Sequence, residues 1–387
     1  MTAAQLLVAA AGYASLVIAA GYSLVTLAGV LAWSRFASGP RALGPPQAPV
    51  TVLKPLCGAE PGLYAHLRSF CEQRYPQFQV IFGSLDVNDP ALAVAAQLVR
   101  EFPDLPIEIV ANPQRHGHNN KSSNLINMLA RARHPVLLIA DSDIAVDPDY
   151  LATVTAALHD ERIGLVTCLS QDVPTPSLWS RLGAMYINEW YFPSVMFAWM
   201  FGYESYASGQ TLCLRGATLE AVGGLGAIAD HLADDYQLGQ LVRGLGLRTV
   251  LSPYEVHAAH HEPDFASLIS HELRWMRTLH IVSPWSFRMI WLTFSLLLGA
   301  AGLVLTAAAP WRRLAWVLFG LTVLARFGLH ATQRLRGRRT LLQDIALVPL
   351  RDVLTFVLWC QSFFSRRVTW RGNQFQVDAA GVMRRIA

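Results

Sequence analysis

Long apolar stretches near the two ends of the chain enclose a region in which short apolar runs alternate with amphipathic ones. The first stretch, LLVAAAGYASLVIAAGYSLVTLAGVLAW, carries no charged side chain before Arg35. It exceeds the roughly 20 apolar residues that cross a bilayer. It also lacks the basic start and short core of a cleaved signal peptide, so residues 1–34 are expected to form a retained transmembrane anchor.

The second apolar block begins near Met289. MIWLTFSLLLGAAGLVLTAAA predicts a span, and Leu314 to Ala331 a return span that carries Arg326. The last stretch, LLQDIALVPLRDVLTFVLWCQSFF, contains Asp344, Arg351 and Asp352, which are costly at mid-membrane. It reads as a functional span, a re-entrant segment or a helix lying in the interface. Residues 289–364 are thus the C-terminal membrane block and 365–387 a tail.

Residues 35–288 follow another rhythm. APVTVLKPLCG reads as a strand, LYAHLRSFCEQ as a helix, QVIFGSLDVNDP as a strand entering a turn, and ALAVAAQLVREF as a helix. IEIVAN, KSSNLINMLARAR and PVLLIADSD continue the alternation. Strands alternating with helices of this length predict an α/β, Rossmann-like, mostly parallel sheet with helices on both faces. Ligands of such sheets bind beyond the carboxyl ends of the strands, where Asp86, Asp141 and Asp143 are placed. The Pro-rich segment Ser38–Pro49 reads as a semi-rigid linker from anchor to domain.

Composition agrees with a membrane protein. The 387 residues are 53% hydrophobic and 15% charged, against about 25% charged in soluble domains, and the mean hydropathy is +0.31. The net charge is only +4, and every cation except Lys54 and Lys121 is arginine. With no basic patch interleaved with aromatics, nucleic-acid binding is not expected. The basic cluster Arg334–Arg339 marks a cytoplasmic side. Two spans between it and the central domain place that domain in the cytoplasm too, although Arg312 and Arg313 then fall outside. Five cysteines form no CxxC pair, as expected of reduced thiols.

The candidate chemistry begins with Asp141-Ser142-Asp143. An Asp-x-Asp turn is read either as a solvated turn or cap, or as a seat for a divalent cation. Mg²⁺ typically takes one or two carboxylates and fills its other positions with water and phosphate oxygens. GHNNKSSNL sets Asn119, Lys121 and Asn124 at a helix start, either an anion-friendly corner or an ordinary cap. HLADDYQLG sets Asp234 and Asp235 before a helix, one fit to cap it and the other to act as a general base. HELRWMRT puts His271, Arg274 and Trp275 close to the membrane block, as an interfacial aromatic anchor or as a cation and aromatic pair. His257, His260 and His261 lack an evident fourth ligand for zinc. The aromatic run Glu189–Tyr203 reads as packing or as an amphipathic lid for a lipid.

Taken in order, Asp86, GHNNKSSNL, DSD, DD and RW resemble the membrane-bound family-2-type glycosyltransferases, in particular the ceramide glucosyltransferase family and its bacterial hopanoid-associated relatives. LKPLCGAEPGL, LDVNDPA and VTWRGNQFQV extend the likeness over most of the chain. The resemblance implies a GT-A-like catalytic domain at residues 35–288 that uses Mg²⁺ or Mn²⁺. It implies that Asp86, Lys121, Asn124, Asp141 and Asp143 bind a UDP-sugar, with Asp143 the direct metal ligand and Asp141 beside it. Asp235 is then the catalytic base. Arg274 and Trp275 close the diphosphate and acceptor site, together with Asp234 and His271, the latter standing where the family usually has Gln or Arg. The implied reaction moves glucose or N-acetylglucosamine, with inversion, to a hydroxyl of ceramide or of a hopanoid polyol such as bacteriohopanetetrol. The implied setting is a bacterial inner membrane. A processive polysaccharide synthase and a catalytically inactive scaffold on the same fold are the alternatives.

Overall fold

A computed structural model describes residues 2–38, 48–203, 206–337, 343–370 and 373–386. Most of the Pro-rich linker, and Arg338, Arg339 and Arg371 of the motifs above, lie outside the described residues. The chain divides into two compact units that interleave in sequence. A helical unit comprises Met1–Phe36, Pro174–Gly202 and Glu262–Ser365, and a sheet unit comprises Ala37–Val173, Tyr203–His261 and Arg366–Ala387.

In the sheet unit, the strands are β1 (Val50–Pro55), β2 (Phe78–Ser84), β3 (Ile107–Ala111), β4 (Val136–Ile139), β5 (Ile144–Ala145), β6 (Ile163–Pro174), β7 (Leu212–Arg215) and β8 (Arg248–His260). They form one sheet in the order β3-β2-β1-β4-β7-β6-β8-β5. The pairs β3-β2, β2-β1 and β1-β4 are parallel, as the strand–helix alternation predicts. Beyond β4 the sheet turns antiparallel at β7, and β6 pairs antiparallel with β7 and β8 with β5. The sheet is therefore mixed. Its second half contains the two longest strands, β6 and β8, and helices also separate β6 from β7 and β7 from β8 in the chain.

The parallel strands are apolar on consecutive residues because both faces are covered. Val52, Val80 and Leu138 enter one core cluster, and their neighbours Leu53, Ile81 and Ile139 enter another. Since successive side chains point to opposite faces, the two clusters lie on opposite sides of the sheet. The tail adds a second, antiparallel sheet of β9 (Arg367–Trp370), β10 (Asn373–Val377) and β11 (Met383–Arg385) in the order β11-β10-β9.

In the helical unit, Ala3–Ala37 and Arg312–Arg336 are each long and apolar enough to cross a membrane. The expected span from Met289 is not a single straight helix. Pro284–Thr293 and Ser295–Leu305 meet at a 61° bend. Hydropathy averages over such a break, because Phe294 is as apolar as its neighbours and only its backbone departs from the helix. The ambiguous last stretch contains the helix Leu347–Ser362. There Arg351 is fully buried, and its guanidinium makes two 2.7 Å bonds to the Glu272 carboxylate.

Candidate active site

The carboxyl ends of β1, β2 and β4 carry the residues that the sequence singles out. Past β4, the chain turns through Asp141 and Asp143 before β5. The helix Asn120–Leu129 starts with Asn119 as its cap, whose side chain accepts the Ser122 N–H at 3.1 Å and satisfies one of the free donors of the first turn. Asn119 Nδ2 donates to the His231 carbonyl, so the cap also anchors the loop that leads to Asp234. Lys121, in that first turn, reaches Asp141 with Nζ 2.6 Å from Oδ1.

Glycine 209 is where these groups converge. A Cβ placed there would lie 2.7 Å from Lys121 Nζ, and 3.5 Å from both Asp141 Oδ2 and Asp235 Oδ2. Its own N–H donates to Asp235 Oδ2 at 2.8 Å, and the Tyr236 N–H donates to the other oxygen at 2.7 Å. Asp235 thus has both oxygens held at the first turn of the helix Asp234–Gly244. Asp234 beside it is buried, with Ser122 Oγ 3.5 Å from one oxygen.

Burial and the neighbouring Asp234 raise the Asp235 carboxyl to about 6, against the pull of Lys121 and the two amides. Such a group passes between acid and base near neutral pH, which suits a general base. Burial alone would lower Lys121, but Asp141, Asp234 and Asp235 outweigh it and hold the ammonium charged.

Asp143 is the other distinctive carboxylate. Its Oδ1 is buried with no hydrogen-bond partner. Burial, then Asp141, Glu60 and Asp172, push its carboxyl up to about 7. A buried acceptor left unsatisfied costs of order 1–3 kcal/mol, and one aimed beside a second carboxylate is a fit for a cation that both would share.

Two residues at this end were not flagged as site residues by sequence reasoning. Lys54, at the end of β1, is fully buried and lies 3.7 Å over the Phe70 ring. It donates to the Asp141 carbonyl, and burial lowers it to about 7 despite Asp143 and Asp141. Being one of only two lysines, beside 29 arginines, was the available signal. Asp89, three residues after Asp86, is buried and accepts from Gly58 N–H, Ser84 Oγ and Ala91 N–H. It ties the loop after β1 to the end of β2.

The remaining candidates have simpler surroundings. Asp86 is exposed, and its Oδ1 accepts the Asn88 N–H in the turn after β2. Asn124 is buried, and its amide donates to the Gly83 carbonyl at 2.7 Å, bracing the helix on β2. His260 pairs with Asp172 at 2.7 Å. The tail meets the loop before the acids, where Leu232 N–H donates to Gly381 O at 3.0 Å and Met383 N–H to Asp230 O at 2.7 Å.

His271, Arg274 and Trp275 belong to the helical unit, on the helix Phe265–Val282. There His271 Nδ1 is 2.7 Å from Glu262 Oε1, and its ring lies 4.1 Å from the Trp275 ring. Trp275 stacks on Tyr186 at 5.6 Å and has Arg274 at 5.9 Å from its ring. The aromatic run from Glu189 also lies in this unit, as a π-helical segment followed by the helix Phe192–Met200.

The chain is 22% identical over 354 residues to ceramide glucosyltransferase 1 of Caenorhabditis elegans, covering 87% of this chain and 73% of that protein. It is 32% identical over 120 residues to a ceramide glucosyltransferase of Komagataella phaffii, covering 30% of this chain and 24% of that one. Its fold is shared with the mannosyltransferase PcManGT from Pyrobaculum calidifontis, solved with GDP-Man and Mn²⁺, at TM-score 0.53 and 19% identity over 92% of this chain and 98% of that one. The sequence model described as "Glycosyl transferase family 21" matches residues 12–383. A match of that extent, on a GT-A-like fold, means that the chain belongs to glycosyl transferase family 21.

Proposed function

We propose that the protein is an integral-membrane, inverting glycosyltransferase that moves a sugar, glucose or N-acetylglucosamine, from a UDP-sugar to a hydroxyl of a membrane lipid. The observation that carries this reading is the Asp235 carboxylate. It is held by the Gly209 and Tyr236 amides and raised to about 6, next to a lysine and the strand-end acids where a diphosphate would lie.

Asp235 takes the proton of the acceptor hydroxyl as that oxygen attacks the anomeric carbon. Its two amide bonds fix the direction in which the carboxylate accepts. Lys121, kept cationic by Asp141, Asp234 and Asp235, offsets negative charge gathering on the departing diphosphate, the kind of preorganised stabilisation that is worth several kcal/mol. Asp86 serves the uridine, Asn124 keeps the Lys121 helix seated on β2, and Arg274 and Trp275 are assigned to the diphosphate and the acceptor. With Asp235 acting as the base and no carboxylate acting as the nucleophile, displacement is direct and inverts the anomeric centre.

The donor set fits a Mg²⁺ or Mn²⁺ ion. Asp143 would hold it through the buried Oδ1 that has no other partner, with Asp141 beside it. Such an ion supplies Lewis-acid stabilisation of phosphate oxygens. The relatives named as ceramide glucosyltransferases support a lipid hydroxyl as acceptor. The two apolar helices support a membrane setting, and the basic residues ending the second support a cytoplasmic location for that end; the reading puts the active site on the same side of a bacterial inner membrane.

The test is a mass-spectrometric assay of purified protein with Mg²⁺ or Mn²⁺, offering UDP-glucose and UDP-N-acetylglucosamine against ceramide and bacteriohopanetetrol. A single glucose or N-acetylglucosamine increment on one lipid, lost in Asp235→Asn, is the expected result and names both substrates. A polymer ladder would replace this reading with a processive synthase, and no product on any lipid with either metal would replace it with an inactive scaffold.

A further inference from the structure

Several irregular features of the helical unit meet at one small cavity, none of them used by the chemistry above. Residues Ile187–Tyr191 form a π-helical turn between the helices Leu178–Tyr186 and Phe192–Met200. The bent pair Pro284–Thr293 and Ser295–Leu305 breaks at Phe294. Trp190 Nε1 donates to Thr293 Oγ1 at 2.9 Å, tying the π turn to the break. The long apolar helix Ala3–Ala37 contributes its own polar positions, Tyr22, Ser23 and Thr26.

The cavity has a volume of about 30 Å³ and is lined on its polar side by Ser23, Glu189, Thr293, Ser295, Arg326 and Asp352. Glu189, on the π turn, accepts from Arg326 Nη1 at 3.0 Å and pairs with His330 Nδ1 at 2.8 Å. Arg326 also donates to Asp352 through Nε at 3.0 Å and Nη2 at 2.8 Å. The charges are therefore partnered and oriented. Two groups are exceptions, His330 Nε2 and the hydroxyl of the 6% exposed Ser23, which have no hydrogen-bond partner, and of the two only Ser23 lines the cavity.

Irregular backbone at membrane depth is tolerated where it lines a cavity, π turns recur at functional sites, and ionisable groups within spans mark such sites by default. A space of this size admits one water-sized polar group. The cavity's remaining wall, Pro193, Phe294, Ala325 and Leu329, suits the methylene carbons that a lipid hydroxyl brings with it.

We propose that this cavity binds a hydroxyl group of a membrane lipid, with Ser23 as its hydrogen-bond partner and the Glu189–Arg326–Asp352 network as its polar floor. The inference rests on the membrane reading of the helical unit and not on sugar transfer. A hydroxyl both donates and accepts, as Ser23 does, and it adds no charge to a network in which Glu189, Arg326 and Asp352 already have partners.

The experiment uses the full chain in phosphatidylcholine nanodiscs and a diazirine-tagged hexadecane-1,2-diol, with the cross-linked peptides identified by mass spectrometry. Labelling is expected on peptides containing residues 187–194 or 293–298, competed by untagged diol and not by its dimethyl ether. Ser23→Leu, which fills the space, is expected to cut that labelling at least tenfold. Ser23→Ala removes only an unpartnered hydroxyl, so it folds even if the leucine variant does not, and it should cut labelling several-fold. Asp235→Asn should leave the labelling intact while abolishing transfer, which separates failure of this inference from failure of the proposed reaction. Equal labelling in wild type and both Ser23 variants, equal competition by the dimethyl ether, or no labelling of these peptides would overturn it; in the last case the cavity holds water only. Recovery of the chain in the soluble fraction without detergent would overturn the membrane reading beneath it.

Discussion

Lys121 Nζ lies 2.6 Å from Asp141 Oδ1, and the same ammonium occupies the space that a side chain at position 209 would need. One cation thereby serves Asp141, Asp234 and Asp235 at once. Lys121→Met is expected to lower kcat/KM by about a hundredfold, the usual order for loss of one preorganised electrostatic partner. Steady-state kinetics, with a circular dichroism spectrum to confirm folding, check this.

The pH dependence should report Asp235. Activity requires the ionised carboxylate, so kcat/KM should rise tenfold per pH unit below about 6 and level above it. Asp234 raises the Asp235 carboxyl and Lys121 lowers it. Hence Asp234→Asn should move the acid limb to lower pH, and Lys121→Met should move it to higher pH. Shifts of the same sign in both variants would remove Asp235 as the titrating group.

Replacing Asp235 itself should be the severest change. A positioned general base contributes about 10²–10⁴-fold, so Asp235→Asn is expected to cost kcat that much with little change in donor KM. The measurement is initial rate against UDP-sugar concentration.

Gly209→Ala tests the convergence point. The added Cβ would meet Lys121 Nζ at 2.7 Å, well inside contact distance, but Nζ is the free end of a flexible chain and can swing away. Fold stability should therefore hold, with Tm within a few degrees. Catalysis should fall by about ten- to a hundredfold, as a misplacement of about 1 Å can cause. A Tm collapse equal to the activity loss would make Gly209 a packing residue only.

The tail should matter for turnover. Met383 N–H donates to the Asp230 carbonyl, four residues before Asp234. Met383→Pro removes that donor and is expected to lower kcat several-fold without altering membrane insertion, read by the transfer assay and by fractionation.

The Arg351–Glu272 pair offers a stability test away from the chemistry. Both side chains are essentially inaccessible, and removing one member of such a pair costs about 3–5 kcal/mol because the other charge stays buried. Arg351→Met should lower the thermal midpoint strongly, and Arg351→Met with Glu272→Leu should recover most of it.

How legible this was depended on the range of the interactions involved. Alternating strand and helix patterns placed Asp86, Asp141 and Asp143 at strand ends, because periodicity and turn residues are local properties. The same locality put Asn119 at a helix start and marked the run before Arg35 as a long apolar helix. Lys54 was not flagged, because nothing near it in sequence says that its ammonium is buried over Phe70 and bonded to a carbonyl 87 residues away. Gly209 was passed over for a related reason: its importance lies in what a side chain there would strike.

The sequence by itself determined the family, the parallel half of the sheet, the two long apolar helices and the identity of the acidic residues, since these follow from order, spacing and hydropathy. Only the tertiary structure decided that β6, β7 and β8 complete a mixed sheet, that the span from Met289 is bent, and that Lys121, Asp141 and Asp235 surround one glycine. It also decided that Arg326, Arg351 and Asp352 have partners within the helical unit. Those relations join residues tens to more than a hundred positions apart, and their energies depend on burial and distance, which no local pattern encodes.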